Sequence, residues 1–168
     1  MRNIELKARL ANPNGASGVC DQIGAAYQGE IHQIDTYFNV PDGRLKLREA
    51  TPGVTELVQY HRPDVAGPKG CDYQLETVQP TIKPLLAAAL GVQAVVDKVR
   101  RLYLWQNVRI HLDTVAGLGE FIEFEAVQDS HMPDEDGFDK LRFLIEAFEI
   151  GDDALERFSY LELSTLPS

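Results

Sequence analysis

Cysteine is scarce in this chain, and long apolar runs and a surplus of positive charge are missing from it. Its two cysteines, Cys20 and Cys71, lie far apart and form no metal-binding motif. They are read as the reduced thiols of a cytoplasmic protein. No apolar stretch reaches the roughly 18 residues of a membrane-spanning helix. The opening Met1-Arg2-Asn3-Ile4-Glu5-Leu6-Lys7 alternates polar and apolar, which excludes the apolar core of a signal peptide. Sixteen basic residues against 26 acidic ones leave a net charge of −10, which argues against nucleic acid or a membrane as partner. Repeats, low-complexity tracts and long linkers are also lacking. The 168 residues, 44% of them hydrophobic, therefore suit one domain spanning 1–168. Whether it is a monomer or a homodimer is left open.

The charges that are present are unevenly placed. Thirteen of the 26 acids fall between Glu120 and Glu156, whereas 13 of the 16 basic residues precede Asp113. An acidic exterior is therefore compatible with a basic site, provided the basic side chains converge. Polar–apolar alternation marks residues 2–10 as a strand, with Ile4, Leu6 and Ala8 on one face and Asn3, Glu5, Lys7 and Arg9 on the other. Similar runs predict strands at 29–39, 43–50, 55–62, 71–78, 94–105, 107–115 and 119–127. Helices are expected at 13–26, 80–90, 134–148 and 152–163. Eight strands with short returns point to an α+β fold built as a closed antiparallel β-barrel with helices packed outside.

Charged residues recur on a shared strand face. Arg44, Lys46 and Arg48 alternate with Leu45 and Leu47; Lys98 and Arg100 face alike, as do Glu123 and Glu125. A single strand of this kind is ordinary, with its polar face in water. Recurrence around a closed sheet raises a second possibility, a charged lumen. Lysines and arginines enclosed together repel and are desolvated. A polyphosphate relieves both problems through charge-assisted hydrogen bonds. Glu5, Glu123 and Glu125 would then hold Mg2+ or Mn2+, hard cations that take carboxylate and phosphate oxygens together.

With those residues in view, the chain resembles the CYTH superfamily, the triphosphate tunnel metalloenzymes, and most closely its class IV adenylate cyclase-like branch. The family's ExExK strand reads Asn3-Ile4-Glu5-Leu6-Lys7 here, so Asn replaces the first Glu and keeps an oxygen ligand while losing a charge. Leu47-Arg48-Glu49 resembles the LRE strand, Arg62 the basic residue closing the next strand, and Lys98-Val99-Arg100 with Tyr103 the KxRxxY stretch. Asp113 before Gly117-Leu118-Gly119 resembles VD…GLG, and Ser159-Tyr160-Leu161 the C-terminal SYxxLL stretch.

The resemblance implies an eight-stranded tunnel and a small-molecule triphosphate as substrate. It implies metal ligands at Asn3, Glu5, Glu123 and Glu125. Triphosphate ligands are expected at Lys7, Arg9, Lys46, Arg48, Arg62, Lys98 and Arg100, and catalytic roles at Lys7, Arg48, Arg100 and Asp113. The expected reaction is cyclisation of ATP to cyclic AMP and pyrophosphate. The alternatives are hydrolysis of thiamine triphosphate, nucleoside triphosphate or tripolyphosphate, and binding without turnover. His61 and His111 carry little weight as ligands, Lys69 reads as an exposed loop lysine in preference to a lid contact, and Asp35 either positions substrate or pairs with a basic neighbour.

Overall fold

Strand β1 (Arg2–Arg9) opens the chain in the computed structural model, which describes residues 1–167. Helix α1 (Pro13–Gln22) follows at once, started by Pro13 and by Asn12, whose side chain accepts from the Gly15 amide at 3.0 Å. Then come β2 (Ala26–Phe38), β3 (Arg44–Thr51), β4 (Thr55–His61), β5 (Lys69–Thr77), α2 (Lys83–Leu90), β6 (Val92–Trp105), β7 (Val108–Val115) and β8 (Gly119–Gln128). Helix α3 (Asp134–Ala147) carries Asp134, Glu135 and Asp136 in its first turn, where the helix dipole favours them.

All pairings are antiparallel, in the order β5-β4-β3-β2-β6-β7-β8-β1, and β5 closes back onto β1. The expected closed eight-stranded barrel with helices outside is the observed fold. One expected element differs. Instead of a helix over 152–163 the chain makes a single turn at Asp152–Ala154, a two-residue strand β9 (Leu155–Glu156), and a short helix α4 (Tyr160–Thr165). The reason lies in the edge of β1. Strand β5 pairs with Arg2 to Glu5 only, and β9 takes up Lys7 and Ala8 beyond it, so backbone groups that β5 leaves free gain partners. Helix α1 also ends earlier than expected, because β2 already begins at Ala26.

The apolar core lies outside the barrel. Ile4, Leu6 and Ala8 of β1, Val108, Ile110 and Leu112 of β7, and Ile122, Phe124 and Ala126 of β8 present a continuous apolar outer wall. Ala16 and Cys20 of α1 and Leu141 and Leu144 of α3 cover it. The alternation that buries this wall turns the opposite, polar face into the lumen. A second cluster, including Tyr37, Val58, Tyr60, Phe121, Tyr160 and Leu161, gathers inward-facing residues around α4.

Gly137 marks where α3 rides closest on the barrel. A Cβ there would stand 2.7 Å from Ile4 Cγ1, 3.0 Å from Ile4 Cβ and 2.6 Å from Gln128 Nε2. Gly137→Ala should gain up to about 1 kcal/mol of helix propensity but incur about 1–3 kcal/mol of overpacking. Because Ile4 Cβ is anchored to the backbone of β1, the cost should prevail. The urea midpoint is expected to fall, and an equal or higher midpoint would show that α3 shifts freely.

Candidate active site in the barrel lumen

Each strand contributes alternate residues to the interior. Strand β1 supplies Asn3, Glu5 and Lys7; β3 supplies Lys46 and Arg48; β4 supplies Glu56, Val58 and Tyr60, and Arg62 follows just past its end. Cys71, Tyr73 and Leu75 come from β5, Lys98 and Arg100 from β6, Arg109 from β7, and Glu123 and Glu125 from β8. Together with Tyr37, Ser159 and Tyr160 they line a cavity of about 290 Å3, at the lower end of ligand pockets generally. Seven of the lining residues are Lys or Arg and four are Glu, so the cavity is cationic inside a protein of net charge −10.

Two carboxylates behind this lining hold the cations in place. Asp35, fully buried on β2, accepts from Arg48 Nε at 2.8 Å and Nη2 at 2.9 Å, from Lys46 Nζ at 3.1 Å and from Lys98 Nζ at 3.0 Å. Burial alone would raise the Asp35 pKa, but Arg48, Lys46 and Lys98 outweigh it and hold the group well below the usual carboxylate range. Asp113 on β7 does the same for Arg100, accepting at 2.7 and 2.6 Å, and also accepts from the Tyr160 hydroxyl at 2.8 Å. Arg100 donates further to Glu123 at 2.5 Å, and Glu123 also pairs with Lys7. The Lys7 ammonium sits 3.3 Å from the centroid of the Tyr160 ring, a cation–π contact.

Some polar atoms have no partner. Arg62 donates to Glu5 at 3.0 Å through Nη1, while its buried Nε and Nη2 find no acceptor. Two orphaned guanidinium nitrogens in a cationic cavity are what phosphate oxygens would satisfy. On the acidic side, Glu5 and Glu125 are direct cross-strand partners, a like-charge pairing that is unfavourable unless a cation lies between or beside them. Donor atoms of His111, Glu123 and Glu125 lie within 4.8 Å of one another, and the buried Asn3 Oδ1 has no donor. This set of carboxylates, an amide oxygen and an imidazole fits a divalent cation.

Lys7, Arg48, Arg62, Lys98 and Arg100 thus share one cavity with Glu5, Glu123 and Glu125, and Asn3 and Lys46 join them. Asp113 faces inward but sits behind Arg100. Arg9 does not belong to this group. It is on the same face of β1 but past the aromatic cluster, over the Phe121 ring at 5.0 Å and 3.7 Å from Glu156, with its side chain half exposed. The alternation placed it correctly; the closure of the barrel interior by Phe121 and Tyr160 was not visible in it. Arg44 is drawn away from the lumen by Asp64 at 2.7 Å and Glu162 at 2.8 Å.

Lys69 corrects the expectation of an exposed loop lysine. It begins β5 opposite Glu5, is buried, and donates to the Val65 carbonyl at 2.7 Å. Burial, then repulsion from Arg62, lowers its pKa to about 8. His111 is likewise an interior residue, paired in register with Glu123. No isolated motif marks either residue; only the shared face with Cys71 in one strand and Asp113 in the other gives a signal.

A closed antiparallel barrel that puts its apolar core outside and an acid–base network inside defines a tunnel-type protein, with the ligand space running among the strands. Residues 1–160 match the family described as the CYTH domain, and the chain belongs to that family. A Methanocaldococcus jannaschii protein with a provisional adenylate cyclase name is 24% identical over 178 residues, covering 99% of this chain and all of that one. A Pyrococcus horikoshii structure superposes with a TM-score of 0.84 at 23% identity, covering 96% of this chain and 98% of the other. A Vibrio parahaemolyticus structure, again provisionally named an adenylate cyclase, gives 0.79 at 23% identity, covering 98% of both chains. A Hippeastrum protein described as having a dominant triphosphatase activity gives 0.66 at 15% identity, covering 97% and 94%. No helix among the described residues is long and apolar enough to cross a membrane.

Burial, opposed only partly by Asp35 and reinforced by Arg100, lowers the Lys98 pKa to about 7. At pH 8 Lys98 is then mostly neutral, and a polyanion bound beside it restores its proton. Tripolyphosphate binding should therefore take up protons at pH 8, and affinity should fall as pH rises above about 7. Calorimetry in buffers of different ionisation enthalpy reads this uptake directly. Lys98→Met should reduce it, and equal uptake in that variant would assign the proton elsewhere.

Proposed function

We propose that this chain is a metal-dependent enzyme acting on a nucleoside triphosphate, with the class IV adenylate cyclase-like reaction as its chemistry. The observation that carries this reading is Arg62. It offers two buried, unpartnered guanidinium nitrogens, Nε and Nη2, to a cavity shared with Lys7, Lys46, Arg48, Lys98 and Arg100. Few ligands satisfy so many cationic donors at once, and a triphosphate is one of them.

The wall formed by β4 and β5 favours an organic end on that triphosphate. Val58, Tyr73 and Leu75 line the same cavity as Arg62, giving apolar and aromatic surface on which a base can rest. This favours a nucleotide over bare tripolyphosphate. In a cyclase the ribose 3′-hydroxyl attacks the α-phosphorus, and pyrophosphate leaves. Arg48 and Lys98, fixed on Asp35, and Arg100, fixed on Asp113, would hold the phosphate chain with little reorganisation, which is the main requirement of phosphoryl transfer. Asn3, Glu5, Glu123 and Glu125 would hold Mg2+ or Mn2+, which when bound supplies charge neutralisation at the phosphate oxygens.

The triphosphatase reading keeps its own support, since the Hippeastrum neighbour is described as dominantly a triphosphatase. Incubation with ATP, thiamine triphosphate and tripolyphosphate, each with Mg2+ or Mn2+, separates the possibilities. Cyclic AMP with pyrophosphate is expected from ATP. Orthophosphate alone would establish the hydrolase, and tight binding without product a non-catalytic module.

Glu123→Ala should abolish metal-dependent turnover; an undiminished rate removes Glu123 from the mechanism. Arg48→Ala should weaken triphosphate binding by about 1.5–3 kcal/mol, the usual worth of a hydrogen bond to a charged group. Asp35 keeps Lys46 and Lys98 in that variant, so the fold should persist, and a binding titration showing unchanged affinity would exclude Arg48 as a ligand.

A further inference from the structure

His111 is a buried imidazole that lies beside the metal ligands proposed above but is not among them. Its side chain is 5% exposed, and its Nδ1 has no hydrogen-bond partner. That nitrogen stands 3.6 Å from Glu123 Oε2 and 3.8 Å from Glu125 Oε1. Both separations exceed a hydrogen bond, yet the nitrogen faces the two carboxylates and nothing else claims it. Buried ring nitrogens normally find a partner. Two donors bound at about 2.1 Å to one ion are about 3.0–3.4 Å apart, depending on the angle between them. The nitrogen-to-carboxylate separations, within a three-group cluster spanning up to 4.8 Å, are therefore wider than one ion requires, and side-chain rotations would have to close them.

We propose that His111 supplies a nitrogen ligand through Nδ1, joining Glu123 and Glu125 in a mixed imidazole–carboxylate site that prefers Mn2+ to Mg2+. The proposal rests on the metal-dependent part of the function proposed above and specifies its chemistry. Mg2+ takes oxygen ligands and sheds its water reluctantly. Imidazole suits the later first-row cations, and carboxylate suits Mn2+ as well as Mg2+. An all-oxygen site would accept Mg2+ readily. Adding one nitrogen on the rigid strand β7, directly across from Glu123, tilts the choice toward the transition ion.

The competing account is ionic: a protonated His111 pairs with the two glutamates as Lys7 and Arg109 do. Pulsed electron paramagnetic resonance of Mn2+ bound to the full chain distinguishes them. The wild-type protein should show 14N modulation from a coordinated imidazole, and His111→Gln should lack it. Calorimetric titration of the same two proteins should show Mn2+ affinity reduced about tenfold or more in the variant, since even outer-shell partners of metal ligands cost about 10–100-fold when removed. Mg2+ affinity should change far less.

The wild-type spectrum needs no variant, so a misfolded His111→Gln would not spare the proposal. Mn2+ bound without 14N modulation, with the Mn2+-to-Mg2+ ratio equal in both proteins, overturns the role of His111 alone. No Mn2+ bound by the wild type, with or without tripolyphosphate, overturns the metal-dependent reading as well.

Discussion

An ionic barrel interior stands only if its buried charges are matched, and here Asp35 and Asp113 carry that requirement. Each lies at 0% exposure, and each fixes a guanidinium through two hydrogen bonds. Without them Arg48, Lys98 and Arg100 would be desolvated cations facing one another, a cost of several kcal/mol per ion. The two aspartates satisfy only part of each cation's hydrogen-bonding capacity. They therefore stabilise the fold and leave donors directed into the cavity. Removing Asp35 should be worse than removing any one of its partners, because it alone serves three cations.

This arrangement constrains what can enter. Glu123 pairs with Lys7 and Arg100, and Glu5 with Arg62. A divalent cation arriving alone must compete with those pairings, and a polyphosphate arriving alone must compete with the carboxylates. Arriving together, each relieves the partner the other displaces: the phosphate takes the cations and the metal takes the carboxylates. On the proposed reading, metal and triphosphate should bind cooperatively for this electrostatic reason, with no conformational change required.

Much of this was legible in the sequence, and the limits of the reading have a physical cause. Alternation in Asn3-Ile4-Glu5-Leu6-Lys7 states that Glu5 and Lys7 share a face, because the side-chain period of a strand is two. It does not state which face is inside. In most half-buried strands the apolar face is interior, and only the recurrence of charge in β3, β6 and β8 favoured the inverted barrel. Lys69 was misplaced because the Gly-Pro-Lys-Gly context marks a turn, whereas the pairing that buries it, with Glu5, is with a strand far away in sequence. Arg9 has the right face but falls outside the cavity for the converse reason: periodicity carries no information about where a lumen ends. The two-residue β9 was below any periodic signal, since Leu155-Glu156 becomes a strand only because β1 leaves an edge for it.

Tyr160 shows how the far end of the chain is tied to the site. The capping box between Ser159 and Glu162 starts α4, and Glu162 accepts from Arg44 at 2.8 Å, which anchors the helix to β3. The ring that α4 thereby inserts lies under Lys7 and against Phe121, while its hydroxyl donates to Asp113. Burial, then the charge of Asp113, pushes the Tyr160 hydroxyl well above its ordinary pKa, so it remains a neutral donor across the working range of pH. One side chain thus restricts Lys7 from below and completes the shell of Asp113, which in turn orients Arg100. Six residues of helix at the C-terminal side of the chain can therefore set the geometry of cations on β1 and β6 without themselves bearing charge toward the ligand.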